Sequence, residues 1–103
     1  MKKLFVLLFV GLTSALYANE QIVRQKGCMA CHDMKVKKVG PSFKEIAEKY
    51  KTKENAVGYL VDRIKKGGVG VWGNVPMPPQ NVSEAEAKQI AEWIISLKKE
   101  VSP

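Results

Sequence analysis

Cys28-Met29-Ala30-Cys31-His32 constrains this 103-residue chain more than any other feature, because C-x-x-C-H is the spacing that covalent haem attachment requires. Two thiols three positions apart can each form a thioether with one of the two vinyl groups of a haem. The adjacent imidazole then lies under the iron as an axial ligand. Cys28 and Cys31 are the only cysteines and His32 is the only histidine, so no thiol or imidazole remains for a second site. Other readings of the motif fare worse. A thioredoxin-like C-x-x-C would accompany a strand-helix-strand pattern, and no run of β-branched residues supplies one. Structural zinc needs four ligands, usually Cys or His, and this motif offers three unless Asp33 joined them.

The first 18 residues read as an export signal that is cleaved, followed by one domain over residues 19–103. Lys2 and Lys3 give the positive start, Leu4 to Leu12 is apolar apart from Gly11, and small residues lead to Ala18, with Ala15 the alternative cleavage point. An uncleaved anchor is disfavoured because the apolar stretch ends at Ala18, short of the ~20 residues that span a bilayer. Cleavage takes two of the 17 basic residues, leaving 85 residues with 15 basic against 10 acidic, a net charge of +5. A domain this small builds a limited core and commonly needs a metal, disulfides or another staple. In an oxidising, periplasmic compartment two free thiols tend toward a disulfide, and attachment to haem removes that fate.

The rest of the chain reads as all-α, with four helices. Asn19 is the expected cap of a short helix from Glu20 to about Lys26, ended by Gly27. Ser42 and Glu45 form a capping box ahead of Phe43, Ile46, Ala47 and Tyr50, which recur at helical spacing. Thr52 is the expected cap of a third helix carrying Val57, Leu60, Val61 and Ile64, stopped by Gly67-Gly68. Gly58 within it costs about 1 kcal/mol relative to alanine. Ser83 and Glu86 open a last helix to about Lys99, with Ala87, Ile90, Ala91, Ile94 and Leu97 inward and Lys98 and Lys99 suited to the negative end of the helix dipole. Between the last two helices, Gly67 to Val82 holds four glycines and three prolines and cannot be regular structure. A connection this long in a compact domain is usually functional or disordered.

That loop holds the best candidate for a second axial ligand. Met1 leaves with the signal, Met29 lies between the attached cysteines, and Met34 is too close to His32 to reach the far face of the haem. Met77, 45 residues beyond His32, has the reach, and Pro76 and Pro78 stiffen its backbone. Methionine more often just fills an irregular gap in a core, but beside an attachment motif ligation is the stronger reading. A thioether ligand raises the reduction potential, and two firm ligands leave no vacancy for oxygen or peroxide.

Taken together, Gly27 to His32, Val39-Gly40-Pro41, Arg63-Ile64-Lys65, Gly70-Val71-Trp72-Gly73, Val75-Pro76-Met77-Pro78-Pro79 and Trp93 resemble the small bacterial class I cytochromes c. The resemblance covers nearly all of the chain after the signal. It implies a compact fold with first and last helices crossing and one haem c almost enclosed, one edge exposed. It also implies that the Pro41 carbonyl accepts a hydrogen bond from His32, and that Arg63 and the Trp72 indole hold a haem propionate. Gln80 stands where relatives often carry asparagine, so a hydrogen bond from Gln80 or Asn81 to the Met77 sulfur is open.

These features point to a monomeric, diffusible one-electron carrier between periplasmic or membrane-bound redox proteins, such as a membrane cytochrome complex, a terminal oxidase or a reductase. Lys35, Lys37 and Lys38 could form a basic rim that steers acidic partners, although such charges are often just a solvated surface. A haem enzyme or gas sensor would need an open or displaceable sixth position. Thiol-disulfide exchange would need free cysteines. Nucleic-acid binding has only the positive charge in its favour.

Overall fold

The computed structural model describes residues 19–100, and side chains as far as Leu97. The expected export signal therefore lies outside the described residues, as do the side chains of Lys98 and Lys99. Four helices form the frame: α1 over residues 19–25, α2 over Phe43–Tyr50, α3 over Ala56–Lys66 and α4 over Glu84–Glu100. No strand occurs among the described residues; the nearest thing to one is an isolated antiparallel bridge between Gly68 and Met77. None of the described helices is long and apolar enough to cross a membrane.

Local chemistry accounts for most helix ends. At α2 the Ser42 hydroxyl accepts from the Glu45 amide while the Glu45 carboxylate accepts from the Ser42 amide, so two orphan donors are satisfied at once. Ser83 and Glu86 repeat this arrangement at α4. Gly27 follows α1 with φ +77°, a conformation that glycine adopts without steric penalty.

Two starts differ from expectation. Residue 19 is already helical, so Asn19 does not cap α1 from outside. The third helix begins at Ala56 with Asn55, not Thr52, before it, because residues 51–54 continue as turn, with the Lys53 amide donating to the Tyr50 carbonyl. Asn55 adopts φ +56°, which asparagine tolerates better than most residues. Its side chain lies where a Cβ at position 58 would be, 2.6 Å from that point, which explains a glycine inside a helix.

The long helix α4 packs against both α2 and α3. The core is contributed by Phe43, Ile46, Ala47 and Tyr50 of α2, by Leu60 and Ile64 of α3, and by an α4 stripe that includes Trp93 as well as the five expected residues. Val23 of α1 is fully buried in the same cluster, and Lys26 just after α1 pairs with Glu86 at 3.3 Å, so the first and last helices meet. Ala87 and Ala91 are completely buried, and such small side chains allow close approach of neighbouring helices. Ile90→Ala should destabilise the folded holoprotein by about 2–5 kcal/mol in urea unfolding. Ser83→Ala should do so by about 1 kcal/mol. A smaller loss for Ile90→Ala than for Ser83→Ala would contradict this placement of the core.

Candidate haem-attachment site

Between α1 and α2 the chain makes a single 3-10 turn, Cys28–Ala30, and the amides of Cys31 and His32 both donate to the Cys28 carbonyl at 3.2 and 3.0 Å. This turn presents Cys28, half-buried, and Cys31, exposed, with both thiols free of any disulfide. Burial pushes the Cys28 thiol up from its ordinary pKa, aided by the nearby Cys31, while a hydrogen bond with its own backbone pulls it down.

His32 is held on three sides. Its Nδ1–H donates to the Pro41 carbonyl at 2.7 Å, which leaves Nε2 as the ring's free lone pair. Gly40 lies against the ring so closely that a Cβ there would fall 2.6 Å from Cε1 and 3.0 Å from Nδ1. The Phe43 ring is centred 5.3 Å from the imidazole and meets Trp93 edge-on at 5.1 Å, which anchors it to α4. Loop 33–41 is tied back by Gly40 N–H to Cys31 O at 2.8 Å and Phe43 N–H to Asp33 O at 2.9 Å. Lys35, Lys37 and Lys38 are all exposed here, but Lys38 also donates from Nζ to the Met29 carbonyl at 3.0 Å, so it braces the attachment turn.

Met77 is half-buried on the loop after α3. Its backbone exchanges two hydrogen bonds with Gly68: Met77 N–H to Gly68 O at 2.8 Å and Gly68 N–H to Met77 O at 3.0 Å. Gln80 Nε2 donates one of its two N–H groups to the Pro78 carbonyl at 2.8 Å. Asn81 is exposed.

Arg63 and Trp72 come together around a pair of tyrosines that sequence reasoning did not foresee. The hydroxyls of Tyr50 and Tyr59 are 3.4 Å apart, and the Arg63 guanidinium carbon lies 5.9 Å from the Tyr59 ring centre. Lys49 Nζ lies 5.6 Å from the centre of the Trp72 indole. Burial, then the hydrogen bond and charge of Tyr59, push the Tyr50 phenol up to about 12, while the Trp72 indole and the Arg63 charge pull the other way. Arg63 Nη2 is engaged by Asp62 at 2.8 Å. Its Nε is buried without any partner, alone in this among the described side chains. A buried donor of this kind costs free energy unless something satisfies it.

Three observations test whether the residues fit a haem. The thiols stand unpaired at thioether spacing, one imidazole nitrogen is free beside them, and the orphaned Arg63 Nε is a donor suited to a propionate. Apolar surface agrees. The exposed large hydrophobics, Val36, Val39, Val69, Val71, Trp72 and Val75, all fall on the loops that flank His32 and Met77.

Comparisons with known proteins point the same way. The family model described as cytochrome c matches residues 18–98. Cytochrome c-552 of Hydrogenobacter thermophilus is 60% identical over 98 residues, covering 95% of this chain and all of that one. Cytochrome c-551 of Azotobacter vinelandii is 49% identical over 80 residues, covering 78% of this chain and 98% of the other. The crystal structure of wild-type cytochrome c552 from Nitrosomonas europaea aligns with TM-score 0.75 at 49% identity, over 77% of this chain and 99% of that one.

Because Gly40 leaves no space beside the His32 ring, Gly40→Ala should lower holoprotein stability by about 1–3 kcal/mol through overpacking. The same methyl should drive the ring off the Pro41 carbonyl and raise the reduction potential, since an imidazole that loses this acceptor donates less to ferric iron. An unchanged potential and stability, measured by voltammetry and urea unfolding, would contradict the packing seen around His32.

Proposed function

The chain belongs to the cytochrome c family, and on that premise we propose how its residues serve a one-electron carrier. It is an electron-transfer protein, not an enzyme, and it carries covalently bound haem c. The haem supplies the redox chemistry, its iron alternating between ferric and ferrous states. Cys28 and Cys31 would hold the group through thioethers, and His32 Nε2 and the Met77 sulfur would ligate its iron. Pro41 orients the imidazole and increases its donor strength. Arg63 and Trp72 bind a propionate, giving the unpartnered Arg63 Nε an acceptor.

The observation that carries this reading is the 2.7 Å bond between His32 Nδ1 and Pro41 O, which occupies Nδ1 and so supports Nε2 as the ligating atom. With the same two ligands in both oxidation states, little rearrangement accompanies electron transfer. The apolar loops exclude water that would otherwise reorganise around the changing charge. Residues 1–18 act as a removable export signal that delivers the protein to the periplasm, where it works as a monomer. The exposed lysines at 35, 37 and 38 steer acidic redox partners to the haem edge, an attraction that salt would screen.

Methionine ligation is tested by carbon monoxide. The reduced wild-type protein should resist it, and Met77→Ala should bind it readily, followed by the visible spectrum after mixing. Rapid binding by the wild type would overturn Met77 as the sixth ligand and favour a catalyst or gas sensor.

A further inference from the structure

The glycine pair after α3 acts as more than a helix stop. Among residues 76–80 only Met77 and Gln80 possess a backbone N–H, because the other three are prolines. Both donors are committed, one just beyond α3 and one within it: Met77 N–H to Gly68 O at 2.8 Å and Gln80 N–H to Ile64 O at 3.0 Å. Gly68 N–H returns a bond to Met77 O at 3.0 Å. The Met77 segment is therefore latched along the last turn of α3 and the residues that follow it, the same turn that carries Arg63.

Gly67 makes this approach possible. It is buried, its φ of +75° and ψ of −169° lie in a region essentially restricted to glycine, and its own amide is held by the Arg63 carbonyl at 2.8 Å. A Cβ built at this residue would collide with the Met77 carbonyl oxygen, and would lie 2.9 Å from Pro79 N and 3.0 Å from Pro78 C. All three are backbone atoms, and the prolines around them restrict the chain, so no side-chain rotation can make room. Gly68 is different. A Cβ there meets the Arg63 Nη1 at 2.7 Å, the far end of a flexible side chain. Gly70 is different again, with φ +104° and open space around it.

We propose that Gly67 is a positioning residue for the Met77 sulfur: by letting two backbones touch, it sets the height of the ligand loop against α3. This rests on the reading of Met77 as the sixth ligand. A methyl wedged at position 67 would have to push the Met77 backbone away from α3, and the sulfur with it, even in a folded protein.

The test compares oxidised holoproteins carrying Gly67→Ala and Gly70→Ala with the wild type. Each variant places alanine at a positive-φ position in the same loop, but only the first meets the Met77 backbone. Gly67→Ala should weaken or abolish the long-wavelength sulfur-to-iron band and bind cyanide at least about tenfold faster, with helical circular dichroism retained, as expected where strain biases an opening equilibrium. Gly70→Ala should keep the band and bind cyanide within about twofold of the wild-type rate, its residue meeting only open solvent. Equal behaviour of the two variants would overturn the proposal.

If Gly67→Ala fails to fold, native hydrogen exchange of the wild-type holoprotein decides. The Gly68 and Met77 amides should be protected together, and exchange at unprotected rates would overturn the latch. A wild type without the sulfur-to-iron band would sink Met77 ligation instead, a result distinct from loss of amide protection.

Discussion

The hydrogen bond from His32 Nδ1–H to the Pro41 carbonyl governs the rest of this structure, because it decides which imidazole nitrogen faces a metal. A carbonyl can only accept, so Nδ1 carries the proton of this bond, and in the neutral ring Nε2 is the nitrogen with the lone pair. The bond would be useless if the ring could slide. Gly40 removes that freedom by placing backbone where a side chain would be, and Phe43 covers another part of the ring. Phe43 is in turn fixed by the α2 capping box and by Trp93, so the placement of the His32 ring is borrowed from two helices.

The other half of the site is built by different means. No helix carries Met77; instead three backbone hydrogen bonds tie its loop to Ile64 of α3 and to Gly68 just beyond that helix, and prolines restrict what that loop can do. The polypeptide alone leaves both halves incomplete. Valines on the two loops stay exposed, and Arg63 Nε is buried with no acceptor. A flat apolar group with anionic tails bound against these loops would cover the valines and give Arg63 Nε an acceptor, adding apolar mass to a domain too small to build a large core of its own.

Legibility in the sequence followed the range of the interaction. The two S-x-x-E boxes, the Gly27 stop, the α2 and α4 stripes and C-x-x-C-H all depend on residues within a few positions of one another, and all could be read directly. The start of α3 at Asn55 could not, because its left-handed backbone shows no consensus and Thr52 offered a plausible cap. Gly67-Gly68 read as a stop signal and proved also to be the partner of Met77, a pairing made across an intervening loop. Gly40 and Gly58 each leave room for a side chain eight or three residues earlier, His32 and Asn55, and nothing in a glycine announces its neighbour. Similarly, Tyr50 appeared as core while its hydroxyl contact with Tyr59 bridges two helices.

We propose that one iron is held between the His32 nitrogen and the Met77 sulfur. Proton NMR of the ferrous, diamagnetic protein addresses it most directly, because a methionine methyl lying over the porphyrin face experiences the ring current of the macrocycle. One methionine methyl should resonate far upfield of the others and be assigned to Met77 by its disappearance in Met77→Leu. A Met77 methyl that resonates among those of Met29 and Met34 would contradict it.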